Sequence, residues 1–155
     1  MNLDMMVPSL PEYNIFDAIY LIMPRLYRYM KEIVTSSMAP EPIGPYSQGV
    51  ASSGFVFLSG QVGRKHDETE LENGVAAQTR QAILNMKAVL AEKNLNLDNV
   101  VKTTVFLADM NDFAEMNGVY AEFFDENTAP ARSTVQVAGL PLAADMEIEA
   151  IASLG

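Results

Sequence analysis

From residue 48 onward the hydrophobic pattern of this chain changes its period several times, and this ordered change most limits the fold. Strand-like segments with alternating apolar residues and helix-like segments with apolar residues every three or four positions follow one another in the order ββαβαββ. A strand–helix–strand connection is a crossover that places its helix against the sheet. The order therefore predicts an α+β fold in which one mixed sheet carries both helices on the same face.

The predicted strands are short and rich in β-branched or aromatic residues. The first two are separated by Ser52-Ser53-Gly54, a turn-forming cluster, so we expect them to form a hairpin. The five strands that we predict are Gln48–Ala51, Phe55–Gln61, Val100–Ala108, Ser133–Gly139 and Glu147–Leu154.

Two helices are predicted between these strands. The first lies between Glu72 and Asn94, and the second follows the capping residues Asp109–Asp112 and runs through Phe124. In the first helix one stripe has the spacing of a buried face, and it consists of Val75, Thr79, Ala82, Ile83, Met86 and Leu90. The polar residues Gln78, Arg80, Gln81 and Lys87 are expected elsewhere on the helix.

A sheet with helices on one side leaves its other face bare. If alternating Val, Phe, Ile and Ala residues occupy that face, a monomer exposes a large apolar patch, and such patches usually mark an interface. We therefore expect the chain to form an oligomer.

Charge and composition argue against several classes of function. The 155 residues include 20 acidic and 10 basic ones, which gives a formal net charge of -10. Proteins that bind nucleic acid need clustered Lys and Arg to neutralise the phosphates. The chain has no cysteine, and its single histidine, His66, lies in a polar run typical of a solvated loop. We therefore expect no metal site and no nucleic acid as the main partner, and the absence of disulfides fits a cytoplasmic protein.

Residues 1–37 differ in kind from the rest. Their apolar run, Ile15–Met23, is interrupted by Asp17, ended by Pro24 and too short to span a bilayer. No basic residue precedes it, so it lacks the positive start of a secretory signal. We predict no association with a membrane.

Two interpretations of this N-terminal extension remain open. The repeat of apolar residues from Ile15 to Leu26 permits a short amphipathic helix that docks on the body of the protein. Alternatively, the reading frame is extended and the real start is Met38, which is the interpretation that we favour. In both cases residues 38–155 form the main domain.

Arg132 is the first candidate for a binding residue. Pro130 fixes the entry into the strand, and strand alternation places Arg132, Thr134 and Gln136 on one face. A guanidinium offers two parallel donors that match the two oxygens of a carboxylate. The alternative is a surface arginine paired with one of the many acidic residues.

Glu147 and Glu149 are candidates for acid–base chemistry. They have the same parity and share one face of the last strand. The alternative is the solvent or partner face of an edge strand, which we prefer for Glu149. Tyr46 follows a constrained Gly44-Pro45 turn and can line a cleft, and Asn117 can contact a substrate or lie on an exposed helix face.

Six short motifs follow one another between about Met38 and the C-terminus. They are Ile43–Gly49, Phe57–Gln61, Val101–Leu107, Met116–Asn117, Pro130–Ser133 and Glu147–Ala152. In this order they resemble the RidA (YjgF/UK114) family, and their number makes the resemblance more specific than any one motif.

The resemblance implies a chorismate-mutase-like fold that forms homotrimers, with ligand clefts between neighbouring subunits. It also implies hydrolytic deamination of 2-imino acids to 2-oxo acids and ammonia. The implied substrates are 2-iminobutanoate and 2-iminopropanoate, which form from released enamines. This hydrolase reaction limits metabolite damage and uses no cofactor. The positions that match the cleft of the family are Tyr46, Gly60, Asn117, Arg132 and Glu147. Arg132 is expected to bind the carboxylate, Glu147 to orient or activate water, and Tyr46 and Asn117 to shape the pocket.

Thr134 departs from the family, because many enzymatic members carry cysteine two residues after the arginine. Threonine keeps the small size and supplies a hydroxyl to a substrate but has no thiol chemistry. Two further classes of function stay open: a non-catalytic module that binds 2-oxo acids or amino-acid relatives in the same cleft, and a ribonuclease, against which the acidic charge argues.

Overall fold

The computed structural model describes residues 30–155, which form one six-stranded sheet and two α-helices. The strands are β1 (Glu32–Val34), β2 (Gly49–Ser52), β3 (Phe55–Val62), β4 (Val100–Leu107), β5 (Ala131–Gln136) and β6 (Met146–Ser153), and the helices are α1 (Val75–Ala91) and α2 (Phe113–Tyr120). Three 3₁₀ turns lie at Leu97–Asn99, Met110–Asp112 and Pro141–Ala143. All seven predicted elements are present, with ends that differ by a few residues.

The strands are ordered β1-β2-β3-β6-β4-β5 across the sheet. β2 and β3 form the predicted antiparallel hairpin, whose turn residues Ser53 and Gly54 have φ of 53° and 85°. β6 is antiparallel to both β3 and β4, while β4 and β5 are parallel and are joined by α2. The mixed sheet is therefore confirmed.

One prediction about this sheet is wrong. We considered Glu149 to lie on an edge strand, but β6 is inserted between β3 and β4, and the edges are β1 and β5. The last strand can take this interior place because the α1 crossover leaves a gap between its parallel neighbours β3 and β4. Glu149 is nevertheless exposed, because its side chain points to the face away from the helices.

Both helices pack on one face of the sheet, as predicted. The predicted stripe of α1 is buried throughout, and it packs on alternate residues of the central strands, including Val56 and Ile148 at 0 % exposure. Gln78 corrects the prediction for the polar side of α1, because it is buried as well. Its side chain amide is satisfied there by hydrogen bonds to the backbone of Glu72 and to Asp145.

The opposite face of the sheet is open. Large apolar side chains of β1, β3 and β5 lie on it, among them Ile33 (50 %), Phe57 (45 %), Val135 (42 %) and Phe55 (40 %). Because these side chains share one surface, the bare apolar face expected from the strand pattern is present.

The sheet begins earlier than the sequence indicated. β1 precedes Met38, pairs with β2 and buries Val34 to 2 % exposure. A buried Gln48 holds the segment that follows β1: its Oε1 accepts from the Ser36 N–H at 2.6 Å, and its Nε2 donates to the Ala39 carbonyl at 3.0 Å. The amphipathic helix considered near Ile15 lies outside the described residues. No helix within residues 30–155 is long and apolar enough to cross a membrane.

Candidate active site

Arg132 lies on β5 and faces the helices. Its register partner on β4 is Thr103, which is fully buried under α2, so paired neighbours place the guanidinium on the helix side of the sheet. There Arg132 Nη2 donates to Asn117 Oδ1 at 2.8 Å. The contact brings together two of the predicted site residues and removes the alternative that Asn117 only covers an exposed helix face.

Two aromatic rings hold the guanidinium as well. Arg132 Cζ lies 4.5 Å from the centre of the Tyr120 ring and 5.8 Å from that of Phe113. The Tyr120 hydroxyl is hydrogen-bonded to Thr103 Oγ1 at 2.9 Å, and burial raises the pKa of this phenol, so the ring stays neutral beneath the cation.

The sequence did not predict Phe113 and Tyr120, the two aromatic residues that pack against the guanidinium. Phe113, Asn117 and Tyr120 are spaced by four and three residues along α2, which is the signature of one helix face. That spacing is the sequence signal that places both aromatic residues beside Asn117.

A guanidinium held in this way is available to a ligand. Arginine carries five N–H donors, and the contact with Asn117 uses one of them. Among residues 30–155, Arg132 forms no ion pair with a carboxylate. The alternative of an arginine paired with a surface acid is thus not observed in the part of the chain that the structure describes.

Thr134 lies two residues after Arg132 on the same face, as predicted. Its register partner is the buried Val105. The Thr134 Oγ1 atom is buried and has no hydrogen-bond partner within the described chain. A buried hydroxyl without a partner is costly, so Thr134 has an unused hydrogen-bonding group beside the arginine.

Tyr46, Gly60 and Glu147 form a second group, around a different concavity. This open pocket of about 550 Å³ is lined by the three residues together with Ile43, Ser59, Val62, Pro141, Leu142 and Glu149. Tyr46 is 52 % exposed, and its hydroxyl accepts a hydrogen bond from the Ile43 N–H at 3.2 Å. The phenol therefore forms part of a wall that ends at the Glu147 carboxyl group.

Glu147 lies directly over Gly60. A Cβ atom at position 60 would come within 2.6 Å of Glu147 Cδ and 3.0 Å of its Cγ, so only glycine leaves room for this carboxyl group. Partial burial raises the pKa of Glu147, and the nearby negative charge of Glu149 raises it further. Such a carboxylate is more basic than an ordinary surface glutamate.

The two groups lie on opposite faces of the sheet. Arg132 pairs with Thr103 and faces the helices, whereas Glu147 pairs with Phe106, which has the opposite parity on β4, and faces the open side. Three residues along β4 and two strand spacings separate them, which is roughly 14 Å between their backbones. One copy of the chain therefore presents two half-sites that cannot contact the same small ligand.

The half-sites have complementary chemistry. One offers a fixed cation for a carboxylate, and the other offers a basic carboxylate next to an apolar wall. No cluster of three or more metal-ligating side chains occurs within the described residues, and His66 is exposed in a loop as predicted. If the half-sites meet, they can hold a small acid by its carboxylate and place a proton acceptor near the adjacent carbon atom.

Comparisons with known proteins bear on the family and the fold of the chain. The family model of endoribonuclease L-PSP matches residues 36–154. A RutC family protein of Synechocystis is 46 % identical over 125 residues, which cover 79 % of this chain and 96 % of the relative. An Escherichia coli protein with the name "Putative reactive intermediate deaminase TdcF" is also 46 % identical over 125 residues and is matched over 97 % of its length. A crystal structure of E. coli TdcF with bound serine superposes with a TM-score of 0.74 and 44 % identity, covering 79 % of this chain and 98 % of that chain.

Proposed function

This chain belongs to the endoribonuclease L-PSP family, which includes the RutC, YjgF and TdcF proteins, and on that premise we propose that it hydrolyses 2-imino acids to 2-oxo acids and ammonia. The observation that supports this most is the state of Arg132. Within residues 30–155 its guanidinium is held by Asn117 and two aromatic rings and by no carboxylate, so it suits the carboxylate of a small acid.

Glu147 supplies the base in this proposal. In its ionised form it takes a proton from water as the water oxygen adds to the protonated imine carbon. It then gives that proton to the nitrogen of the tetrahedral intermediate, and ammonia leaves as the C–N bond breaks. Glu147, ionised again, takes the proton of the remaining hydroxyl, which becomes the carbonyl of the 2-oxo acid, and this proton then passes to ammonia or to solvent. A protonated imine is already electrophilic, so positioning and proton transfer suffice and no cofactor is required.

The complete site requires two copies of the chain, because its halves lie on opposite faces of one sheet. The apolar side chains of the open face, among them Phe55 and Phe57, support burial of this surface against another copy. We propose a homotrimer in which the Arg132 half-site of one subunit meets the Glu147 half-site of its neighbour. Symmetry then gives three equivalent clefts.

A binding protein without turnover is the second candidate. The relative crystallised with serine shows that a protein of this family holds a small amino acid. Such a protein needs the arginine as much as an enzyme does, so only turnover separates the two functions. The acidic character of the chain, with a net charge of -10, disfavours RNA as a substrate. We place the reaction in the cytoplasm, in keeping with a chain that has no cysteine.

The test generates 2-iminopropanoate or 2-iminobutanoate in situ with an amino-acid oxidase and follows imine decay. Wild-type protein should accelerate decay, and Arg132→Ala and Glu147→Gln should each remove most of the acceleration. A random 1:1 mixture of the two variants, assembled together, should recover activity in about one quarter of the clefts, since each cleft takes one residue from each neighbour.

The outcomes separate the parts of the proposal. No acceleration by wild-type protein contradicts the deaminase and leaves the binding protein if pyruvate binds in an Arg132-dependent way. Undiminished activity of Arg132→Ala contradicts the role of the arginine. An inactive mixture whose chains assemble normally shows that the two halves act within one chain.

A further inference from the structure

The turn between β5 and β6 has an unusual backbone. Leu142 has φ 58° and ψ 18°, and the next residue, Ala143, has φ 55°. Both are left-handed conformations that residues with a Cβ atom rarely adopt, and two in succession are more costly than one. A conformation of this kind persists only where the surrounding structure enforces it.

A buried clamp enforces this turn. Gln78, 4 % exposed on α1, accepts from the Asp145 N–H through Oε1 at 2.8 Å and donates from Nε2 to Asp145 Oδ2 at 2.8 Å. The Asp145 carbonyl accepts from the Ala108 N–H at 2.9 Å. Both the side chain and the backbone of Asp145 are thus fixed at the end of the turn, which limits the conformations open to Leu142.

The strained turn places the side chain of Leu142 in the Glu147 half-site. Leu142 is 51 % exposed and lines the same concavity as Ile43, Tyr46 and Glu147. A half-exposed leucine gains little from burial in a single copy, so packing within the described chain does not account for its position. The contacts between Gln78 and Asp145 hold the strained turn, and the turn places the leucine at a concavity where a ligand can contact it.

We propose that Leu142, together with Ile43, forms an apolar lip that selects the side chain of the substrate. This inference rests on the proposed function, in which Arg132 of a neighbouring copy holds the carboxylate and Glu147 lies beside the reacting carbon. The side chain of the bound imino acid then lies in the concavity around Glu147, which Leu142 and Ile43 line. The favoured substrates are 2-imino acids with uncharged aliphatic side chains, and the negative charges of Glu147 and Glu149 disfavour those with acidic side chains.

The test compares pyruvate, 4-methyl-2-oxopentanoate and 2-oxoglutarate as ligands by calorimetry, and the corresponding imines as substrates. Wild-type protein should prefer the isobutyl compound to pyruvate and bind 2-oxoglutarate worst. In Leu142→Ala the preference for isobutyl over methyl should fall about tenfold, since each buried methylene is worth about fourfold in affinity. Leu84→Ala, which shortens an exposed leucine on the far side of α1, is the control and should leave the preference unchanged.

Leu142→Gly tests whether a change in ligand preference comes from the lost side chain or from a destabilised fold. Glycine accepts the left-handed backbone, so the midpoint of thermal unfolding should not fall, while the preference should be lost as in the alanine variant. An unchanged preference in both variants overturns the lip but leaves the deaminase intact. A changed preference in binding with no turnover of any imine supports the lip and contradicts the deaminase. Wild-type protein that neither binds nor turns over these compounds overturns both.

Discussion

Replacing Gly60 by alanine tests the geometry of the Glu147 half-site most directly. The added Cβ atom would lie 2.6 Å from Glu147 Cδ and 3.0 Å from Cγ, well inside van der Waals contact. The atoms in its way belong to the end of a flexible side chain, so the carboxyl group should swing aside while β3 keeps its place. We expect a displacement of about 1 Å or more, which typically costs roughly 100-fold in rate at a catalytic group.

Stability should change little in the same variant. Alanine is favoured over glycine in a strand by about 0.5–1 kcal/mol, and this gain offsets part of the cost of moving Glu147. We therefore expect kcat for imine hydrolysis to fall about 100-fold while the free energy of unfolding stays within about 1 kcal/mol of the wild type. Gly118→Ala is the matched control, because nothing lies within 4 Å of a Cβ atom at that helical position.

A double-mutant cycle with Glu147→Ala decides the cause. If Gly60→Ala acts by displacing the carboxyl group, it has nothing left to displace once Glu147 is alanine, and the double variant should be no slower than Glu147→Ala alone. Steady-state rates of imine decay for the four proteins give the result. Rate losses that multiply, or a Gly60→Ala protein within about threefold of the wild type, would refute the reasoning.

Three further predictions concern single substitutions. Arg132→Lys keeps the charge but loses the planar pair of donors, so kcat/KM should fall at least about tenfold, and near-normal imine hydrolysis would contradict the carboxylate clamp. Glu149→Gln removes a negative charge that raises the pKa of Glu147. In the proposed mechanism Glu147 is a base only when ionised, so the acidic limb of the pH–rate profile should move to lower pH. An acidic limb that stays in place or moves to higher pH would exclude this coupling. Gly63→Ala would place Cβ 2.7 Å from Cγ of Gln78 and closer still to its Cα, so α1 must shift. The free energy of unfolding, measured in urea, should fall by about 3 kcal/mol. A fall below about 1 kcal/mol would contradict the close packing of Gly63 against α1.

The sequence predicted the helices and the main strands because their periods differ so clearly. The helical stripe from Val75 to Leu90 and the alternation of Val100–Leu107 are set by burial, which repeats along the chain. β1 was missed because two of its three residues are exposed, so Glu32–Val34 carries no alternation long enough to detect.

The sequence predicted which candidate residues share a strand face but not how those faces are arranged in space. Alternation correctly placed Arg132 and Thr134 on one face and Glu147 and Glu149 on another, because parity along a strand is a local property. Which of these faces meets the helices depends on the register between strands, and register is a long-range property that single-chain alternation does not encode. Gln78 was misplaced for a related reason, since its role depends on Asp145, 67 residues away.

If the proposed arrangement holds, the placement of Arg132 and Glu147 on opposite faces makes the activity of this protein depend on its concentration. On the proposed arrangement an isolated copy contains no complete site, so specific activity should vanish on dilution below the concentration that sustains assembly. The same coupling shapes what a genetic screen can find. A substitution of Phe57 on the open face that only weakens association would be detected as a loss of catalysis, although Phe57 belongs to neither half-site. Selection for the interface therefore cannot be separated from selection for the reaction.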